Sequence, residues 1–219
     1  GWTFKNLNEI RTELDYFPAR WEDRNSFGNG AYKMHDRWVA EIALGTDTSQ
    51  KISYSALVGV RQEELSDWTV RSSLGVTYAP SDRFSFDLDL NYFQRDGWLL
   101  HDQERLMATY SAGDFQPRLA MDVFFSSKQQ LRLSMQWAAI RAEEQDFYLI
   151  PENGGSLTEV ADPVSSGIVA GTNGDFALSR LTTQLRYRWE IGPLSDFFLV
   201  YTRGSNLPNR IDDEYADLF

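Results

Sequence analysis

Histidines and aspartates that stand side by side are the first candidates for chemistry in this sequence. His35-Asp36 and His101-Asp102 are such pairs, and Asp212-Asp213 is an acidic pair near the end of the chain. A histidine polarised by an aspartate, opposite two carboxylates that hold a water molecule, could act as a general base in hydrolysis. The same dipeptides are common in solvated loops. We therefore predict that the protein is not an enzyme, and we keep hydrolysis as an alternative hypothesis.

The composition excludes several other kinds of site. The 219 residues include 32 acidic and 21 basic side chains, two histidines and no cysteine, which gives a net charge of −11. This balance argues against nucleic acid as a partner, since phosphate binding needs a basic surface. Without cysteine there is no disulfide scaffold, thiolate metal site or cysteine nucleophile. The acidic stretches 143–146 and 212–214 lack the spacing of a calcium loop, so we predict no metal and no cofactor.

A row of arginines is the second candidate site. Arg180, Arg186 and Arg188 occupy alternate positions of one stretch that ends at a glutamate. In a water-filled channel such a row could contact anions or sugar hydroxyls, or pair with carboxylates of other strands. The alternative is that these side chains only fill the interior as structural struts. The residues predicted to face the lumen and contact ions or ligands are Arg180, Arg186, Arg188, Glu190, Asp87, Asp89, Asp122 and Arg132. For the three arginines, ion pairs with Asp87, Asp89 and Asp122 are predicted as an alternative to contacts with anions or sugar hydroxyls.

Alternation of apolar and polar residues is the strongest structural signal. Residues 84–92 are apolar at every even position and polar at every odd one, and residues 180–190 repeat the alternation with larger charges. A period of two predicts β-strands with one apolar and one polar face. Nine strands are predicted, at 6–22, 36–46, 50–62, 67–79, 83–94, 104–125, 130–147, 176–191 and 197–204.

The connections between these strands alternate between two kinds. Short ones lie at 47–49, 80–82, 126–129 and 192–196, and long or polar ones lie at 23–35, 63–66, 95–103 and 148–175. In an antiparallel meander, alternate connections lie at opposite ends of the sheet, so all the short turns share one end. Short turns at one end, long loops at the other and strands of about ten residues are typical of outer-membrane β-barrels. The alternative is a soluble β-sandwich or a lipocalin-like barrel around an apolar core.

The two faces of the predicted strands differ in charge. One carries nine arginines and eight carboxylates, and the other carries apolar residues without a charge. A nearly neutral face of mixed sign suits a lumen that contains water, and an open solvated face is the alternative. Aromatic residues towards the strand ends suit the interfaces of a bilayer. The predicted apolar face consists of Ile42, Leu44, Val58, Val60, Leu74, Val76, Leu88, Leu90, Leu119, Met121, Val123, Leu133, Met135 and Leu185.

The number of strands indicates where the chain would end in a barrel. Nine is odd, whereas bacterial single-chain barrels have an even number of strands. The ninth strand starts from a short turn, so it ends on the side of the long loops. We therefore expect residues 205–219 to form an extracellular loop before a final strand that this chain lacks.

Several motifs follow one another in the order of a known family. They are Asp36-Arg37-Trp38, Asp47-Thr48-Ser49, Asp67-Trp68-Thr69-Val70-Arg71, Pro80-Ser81-Asp82, Leu185-Arg186-Tyr187-Arg188-Trp189-Glu190 and Gly192-Pro193-Leu194-Ser195-Asp196. Together they resemble the C-terminal barrel region of the domain-of-unknown-function 5916 family, over about residues 30–219. The resemblance implies an outer-membrane barrel that follows a secreted β-sandwich similar to carbohydrate-binding family 9, and through that sandwich an association with carbohydrate.

We predict an all-β fold, an antiparallel up-and-down transmembrane β-barrel, as a single domain over residues 1–219, with a long extracellular loop at 148–175. The expected location is a bacterial outer membrane, and the expected function is that of a channel or transport-related barrel, linked to carbohydrate handling at the cell surface. A structural or assembly partner in an outer-membrane complex is the first alternative, and an outer-membrane hydrolase is the second. The predicted partners are outer-membrane lipid and either another envelope protein or a saccharide.

Overall fold

The computed structural model describes residues 1–161 and 174–209, with side chains described up to residue 205. Within these ranges the regular structure is entirely β, and no helix is long and apolar enough to cross a membrane. The strands are β1 (Trp2–Thr3), β2 (Glu9–Phe17), β3 (Arg20–Glu22), β4 (Tyr32–Met34), β5 (Arg37–Gly45), β6 (Ile52–Gln62), β7 (Trp68–Ser81), β8 (Phe84–Gln103), β9 (Leu106–Ser126), β10 (Gln129–Leu149), β11 (Thr158–Val160), β12 (Phe176–Gly192) and β13 (Ser195–Asn209).

One antiparallel sheet contains nearly all of these strands. Its order is β1-β2-β5-β6-β7-β8-β9-β10-β12-β13, so each long strand pairs with the next long strand along the chain. The short strand β11 pairs with the last residues of β10, and β3 and β4 form a separate hairpin. The all-β, antiparallel meander predicted from the sequence is therefore confirmed. Within the described residues the sheet is open, with β1 and β13 at its two edges.

The predicted strand boundaries agree best where the alternation is regular. β5, β6, β7 and β12 begin and end within two residues of their predicted limits. The predicted strand 6–22 is wrong, because β2 ends at Phe17 and β3 belongs to the separate hairpin. Pro18 follows β2 directly, and proline has no backbone N–H to continue a ladder of hydrogen bonds. The predicted loop from residue 205 is also shorter, because β13 pairs with β12 up to Asn209; the remaining residues 210–219 lie outside the described ranges.

The largest correction concerns β8, which was predicted to end at residue 94 and runs to Gln103. The predicted loop 95–103 is therefore strand, and the connection to β9 is only two residues long. The register between β8 and β9 shifts between Arg95 and Trp98, which marks a β-bulge at Asp96-Gly97. Gly97 has a φ of +69°, a conformation that glycine adopts without strain. The bulge absorbs the Asp-Gly pair that looks like a turn in the sequence, and the strand continues beyond it.

The connections divide the sheet into two different ends. The turns 46–51, 82–83, 127–128 and 193–194 lie at one end, called the turn end below. The connections 18–36, 63–67, 104–105 and 150–175 lie at the other, called the loop end, where β8, β9 and β10 extend beyond their neighbours. The predicted loop 148–175 corresponds to 150–175, of which 162–173 lies outside the described residues.

The hydrophobic core lies at the loop end and not inside the sheet wall. Tyr32 and Met34 of the hairpin pack against Leu99, Met107 and Ile150, and all five are at most 5% exposed. A second cluster surrounds alanines of the extended part of β9 and β10. Many apolar side chains of the wall are exposed instead: Leu14, Leu74 and Leu199 are 70%, 60% and 62% accessible, whereas those in the middle of β8 and β9, such as Leu88 and Leu119, are half-buried. The folded chain thus has two parts. The cap consists of the β3–β4 hairpin and the loop-end extensions of β8, β9 and β10, and it is packed; the wall is the rest of the main sheet, and nothing in the described chain covers its apolar face.

Candidate functional site

The register of the sheet gathers the charged residues of the strands on one face, called the polar face below. Asp122 pairs directly with Arg132, and Arg132 pairs with Arg186. Directly paired residues present their side chains to the same side of a sheet, and residues two apart along a strand share that side. By these rules the eight predicted contact residues all fall on the polar face: Arg180, Arg186, Arg188, Glu190, Asp87, Asp89, Asp122 and Arg132.

Four of these residues come together near the turn end. The Nε of Arg132 is 2.9 Å from Oδ1 of Asp122, and Gln130 donates to the same oxygen at 2.7 Å. Arg132, Arg186 and Arg188 line a cavity of about 190 Å³ together with Asp196 and Phe198. We call this group the turn-end cluster.

The arginines of β12 do not pair with the carboxylates of β8, so that prediction is wrong. Arg188 forms two hydrogen bonds with Asp196 on β13, at 3.1 and 3.0 Å. The guanidinium of Arg186 lies over the ring of Phe198, 4.7 Å from its centroid. On β8, Asp87 accepts a hydrogen bond from Thr77 at 2.7 Å. Strands β9 and β10 lie between β8 and β12, and three inter-strand steps of roughly 4.8 Å each exceed the reach of an ion pair.

Arg180 belongs to a different cavity. It lies midway along the polar face, where it lines a cavity of about 550 Å³ with Arg118, Gln136 and Asn91. The predicted row of arginines is therefore real as an alignment on one face, but its members serve two separate sites.

A second arginine-rich site lies at the loop end of the polar face, and the sequence interpretation missed it. Arg71 and Arg95 lie on either side of the polar-face residue Phe93, 5.6 and 5.0 Å from its ring centroid, and Arg95 is also 5.1 Å from the ring of Trp98. Arg61 lines the same cavity as Arg71 and Arg95. We call Arg61, Arg71 and Arg95 the arginine cluster.

Ion pairs fix two arginines of this cluster. Nη2 of Arg95 is 3.0 Å from Oδ2 of Asp114, whose side chain is 2% exposed. Nη1 of Arg71 is 3.4 Å from Oε1 of Glu41. Guanidinium groups held between aromatic rings and carboxylates lose little freedom when they bind a further group, which favours recognition.

The nearby glutamates of the loop 63–67 are engaged with neutral donors. Glu63 accepts a hydrogen bond from the hydroxyl of Thr69 at 2.5 Å. Glu64 accepts hydrogen bonds from the Tyr32 hydroxyl at 2.8 Å and from Asn25 at 3.1 Å. Burial raises the pKa of Glu64, although the Tyr32 hydroxyl and the charge of Arg37 oppose the shift. Burial, together with the negative charge of Glu64, also raises the pKa of Tyr32.

Two connected cavities adjoin the arginine cluster. The inner one, of about 80 Å³, is lined by Arg61, Arg71 and Arg95 around Phe93. The outer one, of about 300 Å³, shares Arg61 and Arg95 and extends to Trp98. The sequence interpretation missed this site because it assigned Arg95 and Trp98 to a loop. The continuing alternation of Phe93, Arg95 and, across the bulge, Trp98 is the signal that could have revealed it.

Of the two histidine–aspartate pairs, the second one places His101 among contacts of the cap. Nε2 of His101 is 2.7 Å from the carbonyl oxygen of Glu104 and 3.3 Å from Nδ2 of Asn29. Its ring packs against Phe27, with centroids 5.4 Å apart. These contacts give His101 a structural role in the cap. Asp212 and Asp213 lie outside the described residues. In the part of the chain that the structure describes, no three histidine or acidic side chains are grouped to hold a metal ion.

These features define an all-β protein built on one antiparallel meander sheet, with a charged face, an apolar face and a packed cap at one end. The chain belongs to the family described as a domain of unknown function (DUF5916), whose model matches residues 2–218. The family resemblance drawn from the sequence motifs is thereby confirmed. No curated protein and no solved structure matches the chain.

Proposed function

We propose that the chain forms the wall of an outer-membrane β-barrel, with its apolar face against lipid and its polar face around a water-filled lumen. One observation carries this proposal: a continuous apolar face of the 11-stranded sheet is left uncovered by the rest of the described chain. Monomeric proteins in water rarely expose contiguous apolar patches larger than a few hundred Å². An apolar face that runs across every long strand therefore calls for a partner, and hydrocarbon is the simplest one.

The apolar face continues from strand to strand through the register. One row joins Leu44, Ala56, Leu74 and Leu90, and parallel rows lie above and below it. The row through Leu133, Leu185 and Tyr201 continues the face to the edge strand β13. By the same register Arg203 falls on this face, and its long side chain can extend along the surface to bring the charge to an interface.

A large groove also lies along this face. It encloses about 910 Å³ at the turn end, beside Phe4, Ile10, Leu44 and Leu74. A groove of this size with an apolar lining suits an acyl chain, which is a hydrophobic ligand without polar groups to satisfy. The groove adds to the argument that hydrocarbon meets this side of the sheet.

The polar face needs the opposite environment. Charged side chains at the centre of a bilayer cost several kcal/mol each when they face lipid, about 2–4 kcal/mol for arginine. The pairs Arg132–Asp122 and Arg71–Glu41 are partly exposed, with arginine side chains 53% and 39% accessible. Such pairs are stable in water and unfavourable in hydrocarbon, so the polar face would enclose a lumen.

Three strands are long enough to cross a bilayer and to extend beyond it. β8, β9 and β10 contain 20, 21 and 21 residues. At about 3.3 Å per residue and a tilt of about 45°, roughly 10 residues cross the hydrocarbon layer. The remaining halves would project beyond the membrane at the loop end, where the hydrophobic cap is packed. In this arrangement the cap is the extracellular part.

For the function of the lumen we propose a channel or transport role. The turn-end cluster and the arginine cluster lie towards opposite ends of the same face, so a permeant would pass both. Small polar or anionic solutes suit these guanidinium groups, and a saccharide is the solute that the family resemblance favours. A role as an assembly partner is the second candidate, because β13 has no neighbour on its outer side within the described sheet, and an open strand edge can accept a further strand.

Single-cysteine labelling along β8 tests the orientation of the two faces, since the chain contains no cysteine of its own. The full chain is reconstituted in lipid vesicles with Leu88→Cys, Asp89→Cys or Leu90→Cys. Asp89→Cys is expected to react with a water-soluble maleimide, whereas Leu88→Cys and Leu90→Cys are expected to be protected. The two leucine positions are matched controls, because they flank Asp89 on the same strand.

A lipid-embedded quencher gives the complementary measurement. A fluorophore at position 88 or 90 should be quenched by brominated acyl chains, and one at position 89 should not. Equal labelling of all three positions by the water-soluble reagent would contradict the lipid assignment. Conductance across a planar bilayer then tests the channel, and vesicle insertion without conductance would favour the assembly role.

A further inference from the structure

We propose that the arginine cluster at the loop end binds a small organic monocarboxylate, with the carboxylate in the inner cavity and a ring-shaped body in the outer cleft. All the residues used lie between positions 25 and 114, so the site exists whether or not the sheet closes into a barrel. This inference goes beyond the proposed lumen, because it assigns a defined ligand class to a defined pair of cavities.

Arg61 supplies the free positive group. Its side chain makes no hydrogen bond and no ion pair with any residue that the structure describes, although it lines both cavities. The other two arginines are already paired: Arg71 with Glu41, and Arg95 with Asp114. A carboxylate that reached Arg61 would form a charge-assisted, two-pronged pair with a planar guanidinium.

Two buried donors at the inner cavity also lack a partner. The Nε atoms of Arg71 and Arg95 are buried without a hydrogen bond in the described chain. An unsatisfied buried donor costs about 1–3 kcal/mol, so an acceptor brought within reach of either Nε would be favoured. The cavity of about 80 Å³ that both arginines line has room for two or three waters at roughly 30 Å³ each, which is also the space of a carboxylate group.

The surrounding acids limit the charge of the ligand. Glu41 and Asp114 are paired with two arginines of the cluster, and Glu63 adds a third carboxylate at 6% exposure. With Arg37 and Glu64, which also line the outer cavity, four carboxylates face four guanidinium groups, so the site is nearly neutral before binding. The carboxylates would repel a dianion such as phosphate more strongly than a monoanion, whose single charge one guanidinium can balance. The site is therefore suited to a monoanion.

The outer cleft fits a flat body attached to that anion. Its volume of about 300 Å³ is at the lower end of the range for small-molecule sites. Trp98 and Phe27 line it, and Phe27 is 80% exposed although its ring contacts that of His101. Asn25 adds a hydrogen-bonding amide at the rim. Aromatic surfaces with a few polar groups stack on the apolar faces of rings, whether these belong to a sugar or to an aromatic acid.

Binding to the full chain in detergent micelles tests the site directly. Isothermal titration calorimetry and ligand-observed saturation-transfer NMR are carried out with D-glucuronate and with 3-phenylpropionate, which carry the carboxylate on a sugar ring and on an aromatic ring. Glucose and inorganic phosphate are the neutral and dianionic controls. We expect at least one carboxylate to bind, and glucose and phosphate to bind at least tenfold more weakly.

Arg61→Ala should weaken carboxylate binding about tenfold, which is the loss of one charge-assisted hydrogen-bonded pair. Because the Arg61 side chain makes no hydrogen bond or ion pair with the residues that the structure describes, this variant should keep the circular dichroism spectrum of the parent. Arg83→Ala, at a turn of the opposite end, is the matched control and should bind like the parent.

Three results would overturn the proposal: no binding of either carboxylate, equal binding of glucose and glucuronate, or unchanged binding in Arg61→Ala. None of them bears on the labelling pattern of β8 in vesicles, so failure of this site and failure of the proposed barrel can be told apart.

Discussion

Arg95 and Asp114 form the most enclosed ion pair of the described chain, with Nη2 and Oδ2 3.0 Å apart and side chains 19% and 2% exposed. Asp114 also accepts both hydrogen bonds of the Gln116 amide, at 2.9 and 3.0 Å. This carboxylate thus fixes Arg95 on the polar face, next to the bulge of β8. Its position links the stability of the loop end to the geometry of the arginine cluster.

Asp114→Ala should destabilise the protein by about 2–4 kcal/mol, because it leaves the mostly buried Arg95 without its counter-charge. Urea unfolding in detergent micelles, followed by tryptophan fluorescence, measures the change. Asp122→Ala is the matched control: its partner Arg132 is 53% exposed, so a loss of less than about 1 kcal/mol is expected there. Equal effects of the two substitutions would contradict the difference in burial.

Glu64→Gln should change how stability depends on pH. Burial raises the pKa of Glu64 above 4.5, so the folded state binds this proton more tightly than the unfolded state. The stabilisation from protonated Glu64 is therefore complete below about pH 4.5 and is lost as the pH rises through the folded-state pKa. The parent should lose stability relative to Glu64→Gln over that window.

The urea midpoints of parent and variant, measured at intervals from about pH 4 to pH 8, test this sign. Their difference isolates Glu64 from the other carboxylates. Glutamine keeps an oxygen for the Tyr32 hydroxyl, so the hydrogen bond itself is preserved. A difference that is constant over the whole range would show that Glu64 does not titrate abnormally.

Gly97→Ala should destabilise the loop end by about 1–3 kcal/mol or more. The residue has a φ of +69°, and a Cβ there would come within 2.4–2.8 Å of the side chain of Asp67. Gly204→Ala is the control, since its Cβ would meet nothing within 4 Å. Unfolding midpoints of the two variants give the comparison, and an unaffected Gly97→Ala would mean that the bulge can relax.

If the polar face encloses the lumen, Arg186→Ala with Arg188→Ala should lower the anion selectivity of the channel. Two positive charges are removed from the turn-end cluster, and Asp196 loses the two hydrogen bonds from Arg188. The reversal potential under a salt gradient across a planar bilayer measures the selectivity. Arg83→Ala, on a turn outside this cluster, controls for loss of charge alone. An unchanged reversal potential in the double variant would exclude these arginines from the ion path.

The sequence alone predicted the wall better than the cap. Strict alternation defines β5, β6, β7 and β12, because the period of two is imposed by the strand itself. Tyr32 and Met34 have no such pattern around them, and they form a buried strand only because β8–β10 offer a surface on which to pack. A hairpin that depends on tertiary contacts leaves little local signal.

The same distinction applies to the candidate sites. Alternation places Arg186, Arg188 and Asp87 on one face, but it cannot reveal how many strands separate them. Arg188 pairs with Asp196 and Arg186 lies over Phe198 because β13 is the next strand of the same hairpin. The arginine cluster depends on the bulge at Gly97, and an Asp-Gly pair is compatible with both a bulge and a turn.

The packed cap and the uncovered wall divide the molecule energetically. The side chains that are best shielded from solvent, Leu99, Met107 and Ile150 among them, lie at the loop end of the sheet and need no amphiphile. Heating or dilution of detergent should therefore unfold this protein in two stages. The wall should lose its structure before the cap at the loop end. A calorimetric trace with two resolved endotherms, the earlier one shifting with amphiphile concentration and the later one not, would be the signature of that division.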